Sequence, residues 1–260
     1  MENTENINIV QQPPLTDADW AAWAEYISVT FGVSLSVEAV SSFKLFLSEL
    51  ASWNEKINLV SFKSEKEVLY RHFADSLAGA KLIHQLFSGQ DPAIADIGAG
   101  AGFPGIPVYI ATHYKNITQI ESITKKANFI IEMKNKLNLS GLKIINDRVE
   151  NIATQKEHRG AYDFVLSRAV SKLSPNLEIA IPLLKTGGYA LLYKTENSAS
   201  AEELARADKA MKLLGCEISE KFCYTIPQEA QGYCAVAFKK VSATPAMYPR
   251  RAGTPEKKPL

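Results

Sequence analysis

The stretch Ala93-Ile-Ala-Asp96-Ile-Gly98-Ala-Gly100-Ala-Gly102-Phe103-Pro104 decides the fold. An apolar run, Ala93–Ile97, passes into a loop with glycine at alternate positions. Pro104 then stands near the first turn of a helix, where its missing amide hydrogen is not needed. Glycine permits positive φ and lets a ligand approach the backbone with no Cβ in the way. The dinucleotide fingerprint counted from Gly98 requires a small residue at position 103, and Phe103 stands there, so a pyrophosphate-bearing ligand is disfavoured. Asp96 points the same way, because a carboxylate repels phosphate and suits a ligand presenting an ammonium group, as S-adenosylmethionine does. On the loop alone, any other nucleotide-binding α/β domain stays open.

Downstream, short apolar runs alternate with helical segments, the pattern of β-α-β units and a mostly parallel sheet. Strands are expected at Ala93–Ile97, Ile117–Glu121, Leu142–Asn146, Tyr162–Ser167, Gly188–Lys194, Glu217–Tyr224 and Tyr233–Lys239, with helices at about 104–113, 124–138, 172–184 and 198–214. The last two strands are too close for a helical crossover and predict an antiparallel hairpin. Glu121, at the second strand end, suits both ribose hydroxyls of a nucleoside. Asp147-Arg148-Val149-Glu150, at the third, offers an apolar side chain and a polar edge for adenine. Together these predict an α/β, Rossmann-like class I S-adenosylmethionine-dependent methyltransferase fold: a seven-stranded sheet with an antiparallel terminal hairpin, plus an N-terminal helical extension.

Upstream, residues 1–14 are polar and end in Pro13-Pro14, which predicts disorder over about 1–16. Residues 17–90 form the helical extension. Val40, Phe43, Leu47 and Leu50 recur at helical spacing after Trp20, Trp23 and Tyr26, and Leu69, Phe73, Leu77, Ala80 and Ile83 mark a helix over about 65–87. Residues 91–240 form the methyltransferase domain. The remainder, 241–260, is a basic, proline-rich tail. From Lys239 onward six cations face one carboxylate, Glu256, in a chain whose net charge is only +1. Pro245, Pro249, Pro255 and Pro259 forbid a continuous helix there. The tail should be extended and surface-bound, either merely solvated or a phosphate-contacting arm with Tyr248 as a stacking face. Its deletion is then expected to weaken RNA binding and spare donor binding. Cys216, Cys223 and Cys234 lack CxxC spacing and are expected reduced, with no metal site. No run approaches the roughly 20 apolar residues of a membrane helix, and no secretory signal opens the chain, so a cytoplasmic protein is expected.

From Trp53 on, the chain resembles the bacterial 16S rRNA guanine-N7 methyltransferases known as the glucose-inhibited division protein B family. The resemblance rests on Trp53-Asn54 with Asn58-Leu59, Arg71-His72-Phe73-x-Asp75-Ser76-Leu77, the loop extended through Gly105-Ile-Pro107, and Glu121-Ser122 with Lys125-Lys126. Arg148-x-Glu150, Ser167-Arg168-Ala169, Pro182-Leu-Leu-Lys-x-Gly-Gly188, Tyr248-Pro249-Arg250 and Gly253-Thr254-Pro255 complete it. It implies S-adenosyl-L-methionine as donor, S-adenosyl-L-homocysteine as product, and a donor site near Gly98, Phe103, Val149, Glu150 and Arg168. It implies as target guanine 527 in reference numbering, in the 530 loop of 16S rRNA in the small ribosomal subunit. Val149 departs from the small residue more usual before the glutamate and should narrow the adenine pocket.

Asp96, Gly98, Gly100, Gly102, Phe103, Glu121, Val149, Glu150 and Arg168 are the expected donor-site residues. Arg71, His72, Asp75 and Lys194, with Arg168, are candidates for holding the base. Plainer roles compete: Arg71 and Asp75 at i, i+4 make a helix ion pair, and His72 an ordinary buried hydrogen-bonder. Lys125 and Lys126 open a helix, where cations oppose the dipole, which suggests phosphate partners. Guanine N7 has a lone pair and no proton, so no catalytic base is expected. A small-molecule methyltransferase and a noncatalytic RNA-binding protein on the same fold are the alternatives. A nicotinamide oxidoreductase conflicts with Phe103. A monomer is expected.

Overall fold

The computed structural model describes residues 14–87, 90–168, 172–227 and 229–260. The segment expected to be disordered, 1–16, lies outside these residues apart from its end. There Leu15 N donates to Glu65 Oε2 (3.1 Å) and Thr16 caps the first helix through a reciprocal box with Asp19.

Where the apolar spacing predicts one helical unit, two helices form: α1 (Asp17–Phe31) and α2 (Val37–Asn54). Gly32, at φ 69°, ends α1 in the left-handed conformation, and Ser36 caps α2 by accepting from Ala39 N. The predicted helix over 65–87 is composite. It starts as α3 (Glu65–Glu67), runs as a π-helix over Val68–Ala74, and returns to α-helix as α4 (Asp75–Phe87). Its predicted apolar face, Leu69, Phe73, Leu77, Ala80 and Ile83, is buried throughout. A π segment adds a residue to the turn and often marks a functional site.

The remaining elements are β1 (Ile94–Ile97), α5 (Gly105–Ala111), β2 (Ile117–Ile120), α6 (Thr124–Lys136), β3 (Lys143–Ile145), α7 (Val149–Ile152), β4 (Tyr162–Arg168), α8 (Leu173–Ala180), β5 (Leu184–Thr195), α9 (Ala201–Arg206), α10 (Asp208–Leu214), β6 (Cys216–Thr225), β7 (Gly232–Lys240) and α11 (Thr254–Lys257). The sheet has seven strands in the order β3-β2-β1-β4-β5-β7-β6. Its first five members are parallel, and β7 is antiparallel to both neighbours, as the short β6–β7 connection requires. Alternation along the strands feeds two cores. Ile94, Leu166 and Leu191 face the one that receives α1, α2, α4, α5 and α6. Ala95, Val165 and Leu192 face the one formed with α8, α10 and Tyr248. The N-terminal helices thus share a core with the sheet, through Phe46 packed against both Phe73 (5.3 Å) and Phe103 (5.3 Å).

The cysteine expectation needs correction. Cys223 and Cys234 are joined in a disulfide, and Cys216 alone among the three is free. The bonded pair stands directly opposite in the β6–β7 register, an adjacency that sequence spacing does not display. Among the described residues no group of His, Cys, Asp and Glu could hold a metal ion, and no helix is long and apolar enough to cross a membrane.

Candidate active site

At the parallel strand tips, Gly98, Gly100 and Gly102 adopt φ of 64°, 58° and 87°, values an L side chain resists. Beneath them the Asp96 carboxylate is fully buried; its Oδ2 accepts from Gly105 N (2.8 Å) and Gln119 Nε2 (2.7 Å), which ties β1 to α5 and β2. Its Oδ1 has no hydrogen-bond partner among the described residues. Glu121 holds the loop from the next strand: Oε2 accepts from Gly100 N (2.8 Å) and Oε1 from Ile123 N (2.7 Å).

Above this frame lies a cavity of about 230 Å³ lined by Gly98, Ile120, Val149, Glu150, Ile179 and Pro255, among others. Its apolar walls suit the faces of a purine, and Glu150 offers a polar edge. The backbone-lined glycine turn, the carboxyl groups of Asp96, Glu121 and Glu150, and the partnerless buried Oδ1 fit a nucleoside with an ammonium group. They fit S-adenosylmethionine and disfavour a polyphosphate.

Arg168, at the end of β4, belongs to a separate cluster. Its Nη1 donates to Arg71 O (3.0 Å) and Asp75 Oδ2 (3.0 Å), and its Nη2 donates to His72 Nδ1 (2.9 Å). Since Nδ1 accepts, the imidazole carries its proton on Nε2, which donates to Ser61 O (3.3 Å). Asp75 Oδ1 accepts from Tyr224 Oη (2.5 Å), so the β6–β7 hairpin braces the cluster. Phe103, from the glycine loop, packs on this cluster, its ring 5.1 Å from the Arg168 guanidinium and 5.5 Å from the His72 ring. A second cavity, of about 310 Å³, opens here between Arg71, His72, Arg168, Lys194, Thr195 and Tyr233.

Asp96, Gly98, Gly100, Gly102, Phe103, Glu121, Val149 and Glu150 therefore meet around the glycine loop, and Arg71, His72, Asp75 and Lys194 meet around the second cavity. Arg168 lines the second cavity with them and is absent from the lining of the first. The expected Arg71–Asp75 ion pair does not form. Arg71 makes its i, i+4 pair in the other direction, with Glu67 (2.6 Å), while Asp75 pairs with Arg168 from β4. Lys125 is exposed and Lys126 half-buried on the first turn of α6.

The tail departs from the expected arm. Tyr248 is buried and offers no stacking face, and Arg250 closes on the buried carboxylate of Glu178 through Nε (2.7 Å) and Nη2. Lys240 is buried with its ammonium on Leu184 O (2.8 Å). Arg251, Lys257 and Lys258 remain exposed. The sequence reading missed Gln119, Tyr193, Tyr224, Tyr233 and the tail residues at the first cavity. The pairing of Tyr224 with Tyr233 across the hairpin was the available signal, and it becomes informative only once the register is known.

Two buried groups give the cluster opposed pH responses. Burial, then the positive charge of Arg168, pushes the His72 imidazole down to about 3 from 6.5. Burial pushes the Asp96 carboxyl up to about 7 from 3.8, against the hydrogen bonds from Gln119 and Gly105. Below pH 6.5 the unfolded state binds a proton at His72 that the fold refuses, so this stabilisation is lost as pH falls toward 3. At Asp96 the fold retains a proton that the unfolded chain releases, so its contribution is lost as pH rises from 3.8 through 7. The two changes offset each other between pH 3.8 and 6.5. In an Asp96→Asn protein only the His72 change remains, and urea midpoints should climb with pH through that window more steeply than in the wild type. Parallel profiles for the two proteins would contradict this.

The family model for rRNA small subunit methyltransferase G matches residues 39–229. The ribosomal RNA small subunit methyltransferase G of Desulfitobacterium hafniense is 38% identical over 228 residues, covering 88% of this chain and 92% of its own length. That of Carboxydothermus hydrogenoformans is 39% identical over 230 residues, covering 88% and 95%. Among solved structures, the branched-chain polyamine synthase of Thermus thermophilus superposes with a TM-score of 0.56 at 10% identity, over 77% of this chain and 64% of that one. M. jannaschii TYW2 in complex with AdoMet gives 0.50 at 14%, over 64% and 77%. At such identities the superpositions speak for the Rossmann-like fold alone. The matched span takes in the glycine loop, the π-helix and the Arg168 cluster, and by that match and by its relatives the chain belongs to the rRNA small subunit methyltransferase G family.

Proposed function

We infer that the protein transfers a methyl group from S-adenosyl-L-methionine to N7 of a guanine in 16S rRNA, guanine 527 of the 530 loop in reference numbering. The observation that carries the reading is the presence, at the strand tips, of an apolar-walled crevice beside the glycine loop together with a cation-lined cavity at the ends of β4 and β5. When bound, the donor supplies an electrophilic methyl on a sulfonium and leaves as S-adenosyl-L-homocysteine. Asp96 and the glycine loop orient its amino-acid end, Glu121 accepts from the ribose hydroxyls, and Val149 with Glu150 receives adenine.

Nothing in the second cavity has to remove a proton, since guanine N7 carries none. His72, held neutral at physiological pH and committed through Nδ1 to Arg168, positions that guanidinium. Orientation is the main catalytic resource, and holding N7 in line with the methyl is worth orders of magnitude in rate. Arg71 and Lys194 flank the space for the base. Lys125, Arg148 and Arg251 are exposed cations for the RNA backbone. We place the enzyme in the cytoplasm, acting as a monomer on the small ribosomal subunit.

Labelled methyl transfer to small subunits from cells lacking this protein should yield 7-methylguanosine in the 530 loop, identified by mass spectrometry of the digested rRNA. Label on an exocyclic amine would overturn the N7 assignment. Donor binding with no RNA labelling would favour a small-molecule acceptor or a noncatalytic RNA-binding role.

A further inference from the structure

The C-terminal tail is fastened to the domain at three places before it reaches the donor crevice. Arg159 Nη1 and Nη2 donate to the carbonyls of Tyr248 (2.7 Å), Thr244 (3.0 Å) and Pro245 (3.1 Å). Tyr248 fills the core beneath α8. Arg250 is gripped in a fork by Glu178, a carboxylate with no exposure, whose Oε1 also accepts from Arg250 N (2.9 Å). A buried charge held this way makes detachment unfavourable, because release strands one partner.

Beyond these anchors, Gly253 N donates to Glu150 Oε1 (2.9 Å), on the short helix α7 that supplies the adenine end of the crevice. Gly253 takes φ +78°, which turns the chain into α11. Gly253, Pro255 and Glu256 then line the same cavity as Gly98, Val149 and Glu150, with Pro255 buried.

We propose that residues 253–256 are the outer wall of the methyl-donor crevice, closing on the adenosine end of S-adenosylmethionine. The proposal rests on the assignment of that crevice to the donor. Pro255 presents an apolar surface across the cavity from Ile120 and Val149, which suits a planar purine. Glu150, already accepting from Gly253, couples the wall to the adenine edge. The tail is thus a donor-binding element, and its removal acts on the nucleoside before it acts on RNA.

The experiment is calorimetric titration with S-adenosyl-L-homocysteine, without RNA, of four proteins: the full chain, a chain ending at Ala252, full-length Pro255→Asp and full-length Glu121→Ala. Ending at Ala252 keeps the Tyr248 and Arg250 anchors, and Pro255→Asp keeps the whole tail, so a folding failure in one leaves the other informative. Both should weaken binding by about tenfold or more, one place losing a wall and the other gaining a charge in it. Binding within about twofold of the full chain in either protein, while Glu121→Ala weakens it, would overturn the wall and leave the donor crevice standing. Unchanged binding in Glu121→Ala would overturn both.

Discussion

Arg168→Ala is expected to destabilise the protein by about 3–5 kcal/mol, the cost of removing one partner from a buried ion pair. The guanidinium is not a surface charge whose loss water would repair. It satisfies Arg71 O, Asp75 Oδ2 and His72 Nδ1 at once, and its side chain is 13% exposed against 8% for that of Asp75. Without it the Asp75 carboxylate keeps only Tyr224, and His72 loses the donor that fixes its tautomer. Arg168→Lys should recover little, since a single ammonium cannot reach three acceptors arranged for a planar fork. Thermal or urea unfolding reads the first effect, and methyl transfer should fall by at least about a hundredfold with it, a loss of transition-state positioning. A double-mutant cycle with Asp75→Asn tests the pairing: an interaction energy near zero would mean that the two residues act independently.

Gly105→Ala should weaken donor binding by about tenfold or more and cost about 1–3 kcal/mol, the range for overpacking a filled core. A Cβ there would stand 2.6 Å from Gln119 Nε2 and 2.8 Å from Asp96 Oδ2, and both of those residues have no exposure into which to retreat. Gly105 N is itself one of the two donors to Asp96, so the added methyl separates the loop from the carboxylate beneath it. Titration with S-adenosyl-L-homocysteine alongside urea unfolding distinguishes the two effects. Wild-type affinity in this variant would mean that Asp96 does not set the loop for the donor.

The fold was readable because its signals lie within short windows. Short apolar runs marked β1, β2 and β4, the glycines marked the turn they alone permit, and the eight-residue gap before Tyr233 forced a hairpin. Most boundaries moved by a few residues, as at β5, where the register continues back to Leu184 through a bulge after Tyr162. The gathering of Asp96, Glu121, Val149 and Glu150 near the glycine loop was readable because each ends a strand or opens the helix that follows one, and parallel strands bring such ends to one edge.

What the sequence by itself determined was the order of strands and helices, the glycine loop and the acids gathered around it, all set by the conformational limits of residues near one another in the chain. Only the tertiary structure decided which charges meet. Asp75 chose Arg168 over its helical neighbour Arg71, Cys223 met Cys234, and Arg250, expected in solvent or on RNA, went to Glu178. Each of these choices joins residues on different elements, and the pairing is set by register and by the penalty on an unpaired buried charge. Neither quantity exists until the sheet has formed and water has been excluded from it.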